Sequence, residues 1–204
     1  MEKEIVNKVC EYAQIYDKNL KGKNIMFIFE NIVSKEIDYI ETEFLANNYK
    51  HLTGVEYKEE ITPTKFYKLC INSKLSYRNI TQKNNGTTKL KLDVLPQLLN
   101  ITKKAKLIAN YSGSKVNLYT EKLIGNVRCC IGFIKKDKYY LPNTILKQDI
   151  REISQLESDC KIVAILEKTS KQKEYNKITY INKNINLKQI INKLKIGEKI
   201  AIFF

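Results

Sequence analysis

The chain has 204 residues, 43% of them apolar, with thirteen tyrosines, seven phenylalanines and no tryptophan. That suits one domain, or one domain with a small appended lobe, whose core needs no staples. Its formal net charge is +14, and the excess is uneven: residues 1–60 carry 8 basic and 12 acidic side chains, residues 61–150 carry 17 and 4, and residues 151–204 carry 11 and 6. The abundance of lysine, asparagine and isoleucine looks like the coding bias of an AT-rich genome, so part of the lysine excess is discounted. The rest is a one-sided field that draws polyanions, nucleic acid first and an anionic membrane surface second. Five cysteines without a C-x-x-C pair, beside a single histidine, argue against a zinc site and read as reduced structural thiols of a cytoplasmic protein. The charged start has no signal-peptide pattern, and no apolar run reaches the length of a membrane span.

Residues 1–20 have helical spacing of Ile5, Val9 and Ala13, ended by Lys21-Gly22-Lys23. "NIMFIFE" (24–30) is a short apolar strand, and residues 34–43 are its expected hairpin partner. "YKHLTGV" (49–55) follows, with the only histidine, His51. Thr62-Pro63 starts a helix, the threonine capping free N–H groups and the proline lacking the one that would go unpaired. Phe66, Leu69 and Cys70 form its buried face. "QKNNGTTK" (82–89) is a loop, and residues 90–99 are a helix bent or shortened at Pro96.

Beyond residue 100 come "KAKLIANYSG", "KVNLYTEKLIG", "VRCCIGFIKKDKYYLP", "CKIVAILEKTS" and "KEYNKITYI", short β-branched or aromatic runs parted by turn signals. They predict an antiparallel meander of four or five strands, interrupted by a helix over 143–156. Within it Cys129 and Cys130 face opposite sides, one of them in the core. Residues 187–194 read as a last helix, and "KIAIFF" as a final strand or tail able to pair with another chain's edge. The fold class is α+β, with N-terminal helices followed by a four- to five-stranded antiparallel sheet.

His51 can act as base or acid near neutral pH; Arg78, Arg128 and Arg151 can hold phosphate, and tyrosines can stack on bases. Plainer readings stand beside these. His-Leu-Thr-Gly also fits a helix C-terminus with Gly54 as left-handed cap, and "PNTILK" a turn with a capped helix. Spacing alone reaches a basic α+β domain, with nucleic-acid binding as one reading and a lysine-rich surface without a partner as the other.

The order of "HLTGV" (51–55), "FYKLC" (66–70), "LPQLLN" (95–100), "IGNVRCCIGFIKKDKYYLPNTILKQD" (124–149), "IVAILEK" and "YNKITY" resembles the fourth family of phage barnase–EndoU–colicin–RelE-like nucleases. The resemblance covers about residues 40–182, so a domain over 41–182 is expected between an N-terminal extension (1–40) and a C-terminal helix and strand (183–204). It implies helices ahead of a four-stranded sheet with a cleft on one face. It also implies RNA cleavage without metal or cofactor, by attack of the 2′-hydroxyl to leave a 2′,3′-cyclic phosphate, in a phage, prophage or toxin protein of the bacterial cytoplasm. RNA is the expected partner, together with an antitoxin, an immunity protein or a host ribonucleoprotein.

Carried over by position, His51, Thr53, Tyr140, Asn143, Thr144 and Lys147 form the candidate polar cluster; under the nuclease reading His51 is the base or acid, and Lys147 with Arg128 stabilises the pentavalent phosphate. Tyr140 stacks or donates a proton; Thr53, Asn143 and Thr144 orient phosphate or base; Arg78 and Tyr67 are further substrate contacts. The alternative is a non-catalytic binder of RNA or ribonucleoprotein that inhibits a host defence system. Whether His51 and the "PNT" segment line one basic cleft separates the two. The acidic first forty residues are expected to shield the basic remainder, to provide a partner surface, or to belong to the core.

Overall fold

The computed structural model describes residues 2–113 and 118–201. Helix α1 (Glu2–Asn19) buries Ile5, Val9, Ala13 and Tyr16, which recur at three- and four-residue steps on one face. Strands β1 (Lys23–Asn31) and β2 (Ile37–Glu43) form an antiparallel hairpin. β1 is a continuous apolar run because both of its faces are covered. Ile25 and Phe27 enter the inner core, whereas Met26 and Ile28 enter a second core on the other side.

Next come α2 (Asn48–Thr53), β3 (Glu56–Tyr57) and α3 (Pro63–Ile71). As expected, α3 starts on a Thr62 oxygen that accepts from the Lys65 N–H, with Pro63 in the first turn. β4 (Ile80–Thr81) pairs with β3 as a small ribbon, and α4 (Thr87–Leu98), which contains Pro96, and α5 (Ile101–Lys104) follow. The second half adds β5 (Leu107–Asn110), β6 (Lys122–Gly125), β7 (Cys130–Lys136), β8 (Tyr139–Leu146), β9 (Cys160–Thr169), β10 (Lys177–Ile181) and α6 (Leu187–Leu194). The expected strand over "KVNLYTEKLIG" and the expected final strand fall partly outside the described residues.

The main sheet has eight strands, ordered β1-β2-β8-β7-β6-β5-β9-β10, rather than four or five. The sequence signals counted only the late strands, because nothing local shows that the early hairpin joins them. β1 also pairs with β9, from Lys23 opposite Thr169 to Asn31 opposite Cys160. β9 therefore has β1 along one edge and β5 and β10 along the other, and seven strands close into a circuit. The junction of β2 with β8 is a single parallel bridge, Thr42 to Tyr140.

α1 to α4 contribute to the inner core, while α6 packs Leu187, Ile190 and Ile191 on the opposite face against Met26, Val163 and Leu166. The helices are thus not confined to the N-terminal half. Cys129 enters the inner core and Cys130 a third cluster with Leu123 and Ile150, so both adjacent thiols are buried, on opposite faces. α1 and β1 supply inner-core residues and cannot be a detached acidic shield.

The helix expected over residues 143–156 is instead the second half of β8, followed by a short 3-10 turn (Ile150–Glu152). Phe133 pairs with Pro142 and Gly132 with Thr144, which leaves Asn143 as the extra residue of a β-bulge. Proline is tolerated there because the ladder is already interrupted. Tyr140 and Ile145 both pack on the inner core although five residues apart, a parity that an unbroken strand forbids.

Candidate active site

α2 is anchored from below. Tyr49 and Leu52 are buried, and the Tyr49 hydroxyl donates to the Val9 carbonyl at 2.6 Å, which leaves Lys50 and His51 on the outer side. The helix ends as the sequence predicts, with Gly54 left-handed at φ +67°. The buried Thr88 hydroxyl of α4 donates to the Gly54 carbonyl at 2.7 Å and fastens the start of α4 to the end of α2. One turn further along α4, Lys91 Nζ donates to the His51 carbonyl at 2.7 Å. Its stem crosses Gly54 so closely that a Cβ there would lie 2.7 Å from Lys91 Cδ. Gly54 thus meets two demands at once, a positive φ and room for the lysine.

Between α2, the β3–β4 ribbon, α4 and β8 lies a cleft of about 430 Å³, lined by Lys50, His51, Glu56, Tyr57, Lys83, Lys91 and Asn143 among others. Three lysines and the histidine face one carboxylate, so the cleft favours an anion. Partial desolvation, reinforced by Lys91, Lys50 and Lys83, holds the His51 imidazole below its usual 6.5. No described residue hydrogen-bonds that ring. Burial, with Lys83 adding, brings Lys91 down to about 8. Near pH 7 the pair therefore rests as a neutral imidazole beside an ammonium that gives up its proton unusually readily. Among the described residues no group of three or more His, Cys, Asp or Glu side chains is placed to hold a metal ion.

Of the residues singled out in the sequence, His51 and Asn143 come together in this cleft. The Asn143 amide donates to the Tyr119 carbonyl and accepts from the Thr120 hydroxyl at 3.3 Å. The others are placed elsewhere or are engaged. Thr53 is fully buried and its hydroxyl donates to the Lys50 carbonyl at 2.8 Å. Tyr67 is buried among Tyr16 and Tyr49 and donates to Asp17 at 2.6 Å, so its phenol ionises far above the usual range.

Tyr140 is half-buried at the β2–β8 bridge, where burial, then Glu121 and Asp38, raise its pKa. Thr144 is buried beside Gly132. Lys147 pairs with Asp93 at 3.0 Å, and Arg78 lies over the Tyr77 ring at 5.9 Å. Arg128 sits in the β6–β7 turn, where its backbone N–H donates to the Asn126 side chain at 2.8 Å. Arg151 is held by Asp149 at 2.6 Å. Sequence reasoning missed Lys50, Lys83 and Lys91. Lys50 adjoins His51, which is a usable signal; Lys91 reaches it only through the fold.

The match to known families is to nucleases. The family model described as phage-Barnase-EndoU-ColicinE5/D-RelE like nuclease4 spans residues 8–184, and the chain belongs to that family. The match begins within α1 and so takes in most of the first forty residues, which the motifs alone had left outside. No curated protein and no solved structure matches the chain.

Proposed function

We propose that this nuclease cuts RNA in the cleft between α2, α4 and β8, by attack of the ribose 2′-hydroxyl on the adjacent phosphorus and without a metal ion. The observation that carries the reading is the shared cleft: the lone histidine and the bulged Asn143, 92 positions apart in sequence, line it together with Lys50, Lys83 and Lys91. The His51 ring, neutral near pH 7 and free of hydrogen bonds to described residues, takes the 2′-hydroxyl proton. Lys50 and Lys83 hold the phosphate and meet the charge of the pentavalent state, the role that the sequence reading had given to Lys147 and Arg128. Asn143 orients the substrate from the β8 side, its amide fixed by Tyr119 and Thr120. The products are a 2′,3′-cyclic phosphate and a 5′-hydroxyl.

The test is incubation of total RNA with wild type and with His51→Ala in EDTA, reading cleavage and end chemistry. The expected result is cyclic-phosphate ends from wild type and a rate lower by about 10²–10⁴ in the variant. Undiminished cleavage by His51→Ala refutes this mechanism. RNA that wild type binds and leaves whole makes the protein a binder of RNA or ribonucleoprotein instead.

A further inference from the structure

We infer that Lys91 is the general acid of the cleft, giving its proton to the 5′-oxygen that leaves while His51 takes one from the 2′-hydroxyl; the inference rests on the RNA-cleaving reading above. The first support is position. Lys91 Nζ lies 2.7 Å from the carbonyl oxygen of His51, so the two groups share one cleft wall. The second is the seat. The left-handed Gly54 leaves open the space over which the lysine stem runs, and any larger residue there collides with it. The stem is thereby aimed, whereas a surface lysine sweeps freely.

The third support is the absence of a counter-ion. Among the described residues the Lys91 ammonium has no ion pair, and Asp93, two positions along α4, is taken by Lys147. The ionisable groups around it are Lys50 and His51 from α2, Glu56 and Tyr57 from β3, and Lys83 from the loop before α4. β8 lines the cleft with Asn143, which does not titrate. An ammonium in such company is poorly compensated until an anion enters. Its ionisation near 8, above that of the imidazole, sets the order of roles: His51 starts as base and Lys91 as acid.

The step balances without a co-reactant. The 2′-oxygen forms a bond to phosphorus as its proton moves to His51. The bond from phosphorus to the 5′-oxygen breaks with its electron pair on oxygen, and the Lys91 proton neutralises that oxygen. Solvent then returns a proton to Lys91 and removes one from His51.

A sulfur-substituted substrate isolates the acid. An RNA oligonucleotide spanning a mapped cut site is compared with the same oligonucleotide carrying sulfur in place of the scissile 5′-oxygen, since a thiolate leaves without a proton. Lys91→Met is expected to slow the oxygen substrate by about 10²–10⁴ and the sulfur substrate only a few-fold. Lys91→Arg, which keeps the charge but is too weak an acid, should resemble Lys91→Met on oxygen. For wild type, the rate on oxygen rises through the imidazole ionisation below pH 6.5 and declines above about 8, whereas the sulfur substrate lacks the alkaline decline. Thermal melts of both variants verify folding. Equal slowing of the two substrates, or full rescue by arginine, overturns the acid role and leaves Lys91 as a phosphate clamp. If wild type fails to cut the oxygen substrate, the RNA-cleaving reading fails and this inference with it.

Discussion

Replacing Lys91 by methionine also probes the cleft without any substrate, through stability. In an open chain the lysine ionises near its ordinary 10.5, and in the fold at about 8. At pH 7 both states carry the proton, so folding must place an ammonium where it is disfavoured. At 1.36 kcal/mol per pH unit this costs about 3 kcal/mol if no water reaches the group, and roughly half that for a side chain that stays partly wet. Methionine keeps the stem's packing but cannot donate to the His51 carbonyl, which returns about 0.5 kcal/mol. The net expectation is a gain of about 1 kcal/mol at pH 7, or roughly 2–4 °C in melting temperature for a chain of this size.

The sign of the pH dependence is set by the lowered ionisation. Between about 8 and 10.5 the unfolded wild type binds more protons than the folded one, so its stability rises relative to the variant. The advantage of methionine should therefore shrink by more than half between pH 7 and about pH 9.5. Paired thermal melts at the two pH values measure it. A variant less stable at pH 7, or a difference that ignores pH, would refute the electrostatic account of the cleft.

Gly54→Ala places a Cβ in the left-handed region and against Lys91, and should lose about 1–2 kcal/mol in urea denaturation and most of the cleavage rate together. Gly132→Ala meets Thr120 Oγ1 at 2.6 Å and Thr144 Cγ2 at 2.9 Å, and equilibrium unfolding should show about 1–3 kcal/mol of lost stability from overpacking. Affinity of the His51→Ala protein for single-stranded RNA should fall with salt at a logarithmic slope of about −0.7 per phosphate held, and Lys83→Gln should flatten it by about one contact. Removing residues 1–40 takes away α1 and β1, so circular dichroism should show an unfolded chain rather than a tighter RNA binder.

What the sequence disclosed about this fold was what local physics decides. The 3.6-residue stripe of α1, the Thr62-Pro63 start of α3 and the run over Leu187–Leu194 each carry their signal within a few residues. The strand circuit was illegible because Phe27 and Ile165 face each other across most of the chain, and neither residue says so. Pro142-Asn143-Thr144 misled for a physical reason: proline followed by capping residues reads as a helix start, yet a bulge also accommodates a missing N–H.

The site divides along the same line. His51 stood out by being unique, and Gly54 by the cap it had to form. Lys91 was one lysine among many until α4 laid it across the glycine. Thr53 and Tyr67 have polar tips that suited a substrate, but the fold uses both internally, on the Lys50 carbonyl and on Asp17.

The closed run of strands has a bearing on how the protein comes into being. A ribosome delivers His51 and Lys91 early, Asn143 much later, and the β9 partner of the first hairpin later still. Contacts so distant along the chain form slowly and only once both ends exist. A growing polypeptide thus lacks the assembled cleft and the closed strand circuit until most of its length has emerged.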